Sequence, residues 1–412
     1  MKRYVIIGNG TAAVGCIEGI RAADREGAIT VVSGEARPVY SRPLISYYLE
    51  GKTDLERMKY RSDTFYADNG CQVLYGRKAT EIDPAQKTVQ LDDGTALAYD
   101  KLCVAAGSRS FVPPFAGLDS VKDRFTFITL DDALSLEQAL GTGRDKRVLI
   151  VGAGLIGLKC AEGIIDRAKS ITVCDLADRV LSSILDAECA AVVQQHLEAH
   201  GIAFMLSDTA VKFDGGCAEM KSGRNVEFDV LVLAVGVRAN TELVKAAGGS
   251  VNRGIIVNEK LETDLPDVYA AGDCTEGFDA SLGDRRVLAI LPNAYAQGQT
   301  AGTNMAGGDK VLDNAIPMNS IGFFRLHMMT AGSYTGEMTE TRNGQTLRRF
   351  FVKDGLLKGF MLIGDTVRAG IYTSLIRDRI PLETLEFGPA AHEATSAMYT
   401  RETRRKKYGG VV

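Results

Sequence analysis

The sequence predicts an α/β fold. It consists of two Rossmann-like, three-layer (ββα) dinucleotide-binding domains, the second inserted into the first, followed by a C-terminal α+β domain. Three observations carry this reading. Gly8-Asn9-Gly10-Thr11-Ala12-Ala13 directly follows the apolar run Tyr4-Val5-Ile6-Ile7. Gly152-Ala153-Gly154-Leu155-Ile156-Gly157 follows Val148-Leu149-Ile150-Val151 in the same way. Beyond Ile316 the pattern changes to strand-like runs at Phe323-Phe324, Arg349-Phe350-Phe351-Val352 and Gly359-Phe360-Met361-Leu362-Ile363.

Each fingerprint reads as a buried strand, a tight turn and the start of a helix. Gly8 and Gly152 permit the turn, and Gly10 and Gly154 let a pyrophosphate approach the backbone. A small third residue, Ala13 or Gly157, lets helix and strand pack closely, with the helix N-terminus facing the phosphates. Two such units in one chain point to two dinucleotides, with chemistry passing between them.

The elements follow in order. Ala28–Val32 is a second strand, and Glu35 to Pro43 is a loop leading to a helix near Asp63–Asn69. Thr88–Leu91 and Leu102–Ala105 read as strands, with Asp93-Gly94 as a hairpin turn and Pro113-Pro114 as a boundary. The second unit adds strand Ile171–Cys174, an amphipathic helix Ala187–His200 ending at Gly201, and strand Val230–Ala234. A helix is expected at Asn293–Met305. The expected domains are 1–112 with 251–315, an insert at 113–250, and 316–412 with a basic tail at 401–412.

Composition narrows the function classes. The chain has 412 residues, 45% hydrophobic and 24% charged, with a net charge of −4. That balance gives no argument for nucleic-acid binding. No apolar run reaches the roughly 18 residues of a spanning helix, and the short run after Met1-Lys2-Arg3 reads as a first strand, not a signal peptide. The eight cysteines show no Cys-x-x-Cys or other compact metal-ligand spacing, and there are only four histidines. No metal site is expected; the thiols read as free in a reducing, cytoplasmic setting.

A carboxylate at the end of the second strand of such a unit suits the ribose hydroxyls of an adenosine half. Glu35 holds that place in the first unit and Asp175 in the second. Asp175 favours NAD(H), because a carboxylate repels a 2′-phosphate, although Arg179 nearby leaves room for NADP(H).

The stretch Glu35-Ala36-Arg37-Pro38-Val39-Tyr40-Ser41-Arg42-Pro43-Leu44-Ile45-Ser46 resembles the loop of FAD-dependent pyridine nucleotide oxidoreductases. Ala105-Ala106-Gly107, Ala234 through Val235-Gly236-Val237-Arg238-Ala239-Asn240, and Val268-Tyr269-Ala270-Ala271-Gly272-Asp273 extend the likeness over residues 1–305. It is nearest the NADH:rubredoxin and ferredoxin reductases and the flavin part of nitrite reductases. It is also similar to flavin subunits of 2-oxoacid dehydrogenase complexes of the phenylglyoxylate type.

The resemblance implies FAD in the first unit, on Gly8, Gly10, Thr11, Ala12, Ala13, Glu35, Arg42, Pro43, Ala106, Gly107, Gly272 and Asp273. It implies NAD(H) as substrate in the second, on Gly152, Gly154, Leu155, Ile156, Gly157, Asp175 and Gly236. Asp273 would meet the ribityl chain or adjoining phosphate, Arg42 the flavin or its phosphates, and Pro43 would lie near the ring. The helix after Pro292-Asn293 would aim its N-terminus at the flavin pyrimidine edge. Tyr47 and Tyr48 either approach the flavin or only pack. No catalytic side chain is expected, since the flavin is the redox centre.

Two departures shape the expected function. The loop carries Ser41-Arg42-Pro43, with no redox cysteine there, and Cys274 is a lone thiol. Lys159 stands where relatives often carry Glu, and it reads as a solvated lysine, a partner of Glu162, or an altered handle on the nicotinamide. Without a thiol relay or cluster, electrons are expected to pass between NAD(H) and an iron–sulfur protein or partner subunit, rubredoxin- or ferredoxin-like. The alternative is a stand-alone NADH oxidase or disulfide reductase. Five cations against one carboxylate within residues 401–407 suggest a tail that docks an acidic redox partner.

Overall fold

The computed structural model describes residues 1–385. Two parallel five-stranded sheets dominate it. In the first, the order is Val268–Ala270, Lys101–Val104, Arg3–Ile7, Ala28–Ser33 and Cys71–Tyr75. In the second, it is Ile202–Leu206, Ser170–Asp175, Arg147–Val151, Val230–Leu233 and Arg124–Phe125. The central strands Arg3–Ile7, Ala28–Ser33, Arg147–Val151 and Val230–Leu233 are rich in Val, Ile and Leu because layers on both faces of each sheet bury them.

Each unit also carries a three-stranded antiparallel meander. The first comprises Ala79–Asp83, Thr88–Leu91 and Ala96–Ala98, and the second Ala210–Asp214, Cys217–Met220 and Asn225–Glu227. The Asp93-Gly94 turn closes the first, with Gly94 at φ 83°. Sheet, meander and helices make the three expected layers.

The duplication extends to single atoms. Gly8 N–H donates to Val32 O and Gly152 N–H to Cys174 O, each at 2.8 Å. The chain passes between the units on an antiparallel ribbon, Ser108–Ser110 against Val237–Ala239. Val244 is again in the hydrophobic core of the first sheet; the insert was expected to run to residue 250.

On the first sheet, helix Thr11–Ala23 packs against Leu291–Met305 with almost no side-chain spacing. A Cβ on Gly298 would stand 1.9 Å from Ala12 O, one on Gly302 2.1 Å from Cys16 O, and one on Gly15 2.3 Å from Tyr295 O. This paired-glycine seam brings the starts of both helices to one edge.

From Met318 the chain forms a five-stranded antiparallel sheet ordered Met318–Phe323, Leu326–Gly332, Leu356–Ile363, Thr346–Lys353 and Glu337–Asn343. Helix Ala369–Arg377 covers one face through Tyr372, Leu375 and Ile376 on Phe350, Phe360 and Leu362. The other face joins the core of the second unit through Phe323, Met328, Leu347, Phe351 and Ile363. Phe324, expected in a strand, instead turns the hairpin at φ 45°. Near Asp63–Asn69 the helix shrinks to one turn, Phe65–Asp68, while Ile45–Leu49 forms a short helix the sequence did not reveal. Among the described residues, no helix is long and apolar enough to cross a membrane. The expected tail at 401–412 lies outside them.

Candidate functional site: two glycine-turn cradles

Because each large sheet is parallel, the carboxyl ends of its strands share one edge, and the candidate residues gather there. In the first unit, Gly8 follows Ile7, Glu35 lies two residues beyond Ser33, Ala106 and Gly107 follow Val104-Ala105, and Gly272 and Asp273 follow Ala270-Ala271. In the second, Gly152 follows Val151, Asp175 ends its strand, and Gly236 lies beyond Leu233.

The glycine requirement is visible twice. Gly8 has φ 110° and Gly152 φ 118°, a region where L side chains are strained. A Cβ on Gly8 would sit 2.1 Å from Ala105 O, and one on Gly152 would sit 2.2 Å from Ala234 O. Close packing also explains Gly157, whose Cβ would meet Gly152 O at 2.0 Å, and Ala13, which is fully buried.

Gly10 and Gly154 behave differently, since a Cβ on either would meet nothing within 4 Å. Both are N-caps with no side-chain cap, and neither helix has an acidic residue in its first turn. By contrast, helix Leu130–Leu140 has a Thr129 capping box and Ala187–Ala199 is capped by Asp186. Open space before a bare helix N-terminus is what an incoming pyrophosphate needs. Thr11, Ala12, Leu155 and Ile156 form the first turns behind these openings.

Polar groups border the first cradle. Asp273 is partly exposed beside Arg42 and Ser108; burial raises its carboxyl above the usual range, while Arg42 and Ser108 pull it down. Gln297 Oε1 accepts from Gly272 N–H at 2.7 Å and from Thr275 Oγ1 at 3.0 Å. This buried brace comes from a residue distant in sequence, with no local signal to find it. Asn240 Nδ2 donates to Ala106 O at 2.8 Å, and Asn240 N–H donates to Gly107 O at 3.0 Å. Pro43 is exposed in the short 3-10 helix Arg42–Leu44.

Several residues have partners the sequence did not show. Arg42 pairs with Glu35, and Tyr40 OH donates to Glu35 Oε2 at 2.8 Å while accepting from Leu130 N–H at 2.8 Å. Tyr48 OH donates to Glu137 Oε2 at 3.0 Å, so it packs into the second unit. Asp175 Oδ2 accepts from Ala153 N–H at 2.7 Å, and its Oδ1 accepts from Ala177 N–H at 2.8 Å. Arg179 turns to Asp178 at 2.7 Å. Lys159 pairs with Glu162, one of the readings its helical spacing had offered.

All eight cysteines are free. Burial pushes the Cys274 thiol up to about 12, so it stays protonated at neutral pH. Cys16 is buried with its Sγ 3.7 Å from Met305 Sδ, a packing contact. Among the described residues, no group of His, Cys, Asp or Glu has the arrangement of a metal site.

Comparison with known proteins accords with this geometry. The sequence profile of the pyridine nucleotide-disulphide oxidoreductases matches residues 2–298. The chain is 32% identical over 399 residues to the NADH-dependent phenylglyoxylate dehydrogenase subunit epsilon of Aromatoleum evansii, covering 93% of each protein. It is 30% identical over 372 residues to the NAD(P)H nitrite reductase of Bacillus subtilis strain 168, spanning 89% of this chain but only 45% of that protein. Among solved structures, the covalent putidaredoxin reductase–putidaredoxin complex matches with a TM-score of 0.86 at 26% identity, over 92% of this chain and 94% of the other.

Proposed function

The chain belongs to the pyridine nucleotide-disulphide oxidoreductase family, and on that premise we propose an FAD-dependent oxidoreductase that moves electrons between NAD(H) and an iron–sulfur protein or partner subunit. The observation that carries this reading is the repeated cradle, an open space before an uncapped helix at Gly10 and again at Gly154.

FAD is assigned to residues 1–112 and 251–315, NAD(H) to 113–250, and an interface role to 316–412. The N-termini after Gly10 and Gly154 would each hold a pyrophosphate, with Glu35 and Asp175 at the ribose ends. Asp273 and Arg42 would meet the ribityl and phosphate region, and Pro43, Ala106 and Gly107 would border the ring. Gly236 would leave room on the nicotinamide side. Once bound, FAD supplies the junction between two-electron and one-electron carriers. The protein's part is to hold both dinucleotides and orient them, because no reactive thiol is assigned to the relay.

Likeness to the phenylglyoxylate dehydrogenase subunit favours a flavoprotein subunit that delivers electrons to NAD+ within a 2-oxoacid dehydrogenase complex. Likeness to the putidaredoxin reductase complex favours an iron–sulfur acceptor. The basic tail at 401–412 is proposed as the docking element for that acidic partner, and the free thiols suit a cytoplasmic address. Purification of the native protein with cofactor analysis tests the reading. FAD in the chain and co-purifying iron–sulfur or thiamine-enzyme subunits are expected. A chain without flavin, or one that purifies alone and turns over oxygen or disulfides rapidly, overturns it.

A further inference from the structure

All three parts of the chain touch the second fingerprint helix, Leu155–Ile164. Glu162 lies on it, 4% exposed, and its two carboxylate oxygens do different work. Oε2 pairs with Lys159 Nζ, and Oε1 accepts from Phe324 N–H at 2.6 Å. Lys159 Nζ also donates to Gly322 O at 3.3 Å and lies 4.6 Å from the centroid of the Tyr47 ring. Tyr47 belongs to helix Ile45–Leu49, which directly follows Arg42, Pro43 and Leu44 of the first unit. The backbones are close here, as a Cβ on Gly163 would stand 3.0 Å from Ser46 O.

The hairpin tip is held from its other side as well. His196 Nε2 lies 3.1 Å from Phe323 O, and the Phe324 ring stacks on His200 at 4.3 Å with 5° between the planes. Phe324 and Arg325 both have positive φ, 45° and 73°. Non-glycine residues persist in that conformation only where surrounding contacts over-determine it. One buried carboxylate therefore ties the second fingerprint helix to the flavin loop of the first unit and to the C-terminal hairpin. With its donors committed to Glu162, Gly322 and the Tyr47 face, Lys159 serves this joint instead of gripping a ligand.

We propose that Glu162 is a positioning residue for hydride transfer. Through Lys159 and Phe324 it fixes the NAD(H) cradle against the flavin loop, so the C-terminal domain sets the approach of nicotinamide to flavin. This rests on the assignment of FAD and NAD(H) above. Transfer requires near-contact geometry, and a misplacement of about 1 Å costs on the order of 100-fold in rate.

Anaerobic rapid mixing of the FAD-loaded full chain with NADH tests the proposal, read by the loss of oxidised-flavin absorbance. Glu162→Gln keeps the shape and an acceptor for Phe324 but removes the charge. Lys159→Met removes the cation and leaves the Glu162–Phe324 hydrogen bond. Both are expected to lower the limiting rate at saturating NADH by about tenfold or more. FAD content should match wild type, and half-saturating NADH should move by less than about threefold. Should Glu162→Gln fail to fold, Lys159→Met decides. Limiting rates within about twofold of wild type in folded, flavin-loaded variants overturn this proposal alone. A wild-type protein that NADH does not bleach overturns the functional reading and this proposal with it.

Discussion

Arg42 and Glu35 form an ion pair across the loop that follows the second strand. Each was expected to meet a different part of FAD, and the structure also pairs them with one another. Tyr40 holds the pair against Leu130, and Arg42 Nη1 donates to Ile128 O at 3.1 Å, so the loop is braced by contacts within the protein. Arg42→Ala removes a cation from the phosphate side and leaves Glu35 repelling it. FAD affinity of the apoprotein should fall about tenfold or more, equivalent to about 1.4 kcal/mol. Fluorescence titration checks this, and an unchanged affinity removes Arg42 from the site.

The two cradles should be separable by single methyl groups. Gly10→Ala and Gly154→Ala meet no protein atom within 4 Å, so thermal stability should fall by no more than the roughly 1 kcal/mol of a poorer N-cap residue. Gly10→Ala should nevertheless lose FAD, and Gly154→Ala should retain FAD while needing about tenfold more NADH for half-bleaching. Gly298→Ala serves as the contrast. Its Cβ would stand 1.9 Å from Ala12 O, and overpacking of this kind costs about 1–3 kcal/mol.

Asp175→Ala should weaken NADH by about tenfold while FAD stays bound. Asp175 also braces Ala153 N–H, so Asp175→Asn, which keeps an acceptor oxygen, separates ribose recognition from support of the turn. An NADH titration that Asp175→Ala leaves unchanged ends the ribose assignment.

Asp273 gives a pH dependence. Burial raises its carboxyl, with Arg42 and Ser108 opposing. A carboxyl raised in the folded state contributes stability that is present below the unfolded value, near pH 4, and is lost as pH rises through the folded value. Flavin-free Asp273→Asn should therefore melt higher than wild type at neutral pH, and the difference should vanish below about pH 4. It should also retain FAD less well. A melting difference that does not vary with pH contradicts the raised carboxyl.

The parts of the molecule legible in the sequence are those whose physics is local. Gly8 and Gly152 announce their turns because only glycine tolerates φ near 110° against a carbonyl. Helix Ala187–Ala199 announces itself through apolar spacing and a terminal Gly201. Partners set by tertiary approach were not legible. Glu162 suggested Lys159 by helical spacing, but nothing local points to Phe324, which reaches it from the C-terminal hairpin. Helix Ile45–Leu49 is too short to show a period and owes its place to the gap at Gly163. Gln297 beneath Gly272 is likewise a long-range contact.

The most direct test of electron flow through two cradles to an iron–sulfur partner is anaerobic bleaching of the flavin by stoichiometric NADH, followed by addition of single acceptors. With Cys274 buried and its thiol pushed up to about 12, disulfides should reoxidise the flavin slowly, as should oxygen. A ferredoxin-like iron–sulfur protein should reoxidise it at least about tenfold faster. Equal or faster reoxidation by oxygen or a disulfide would contradict the account.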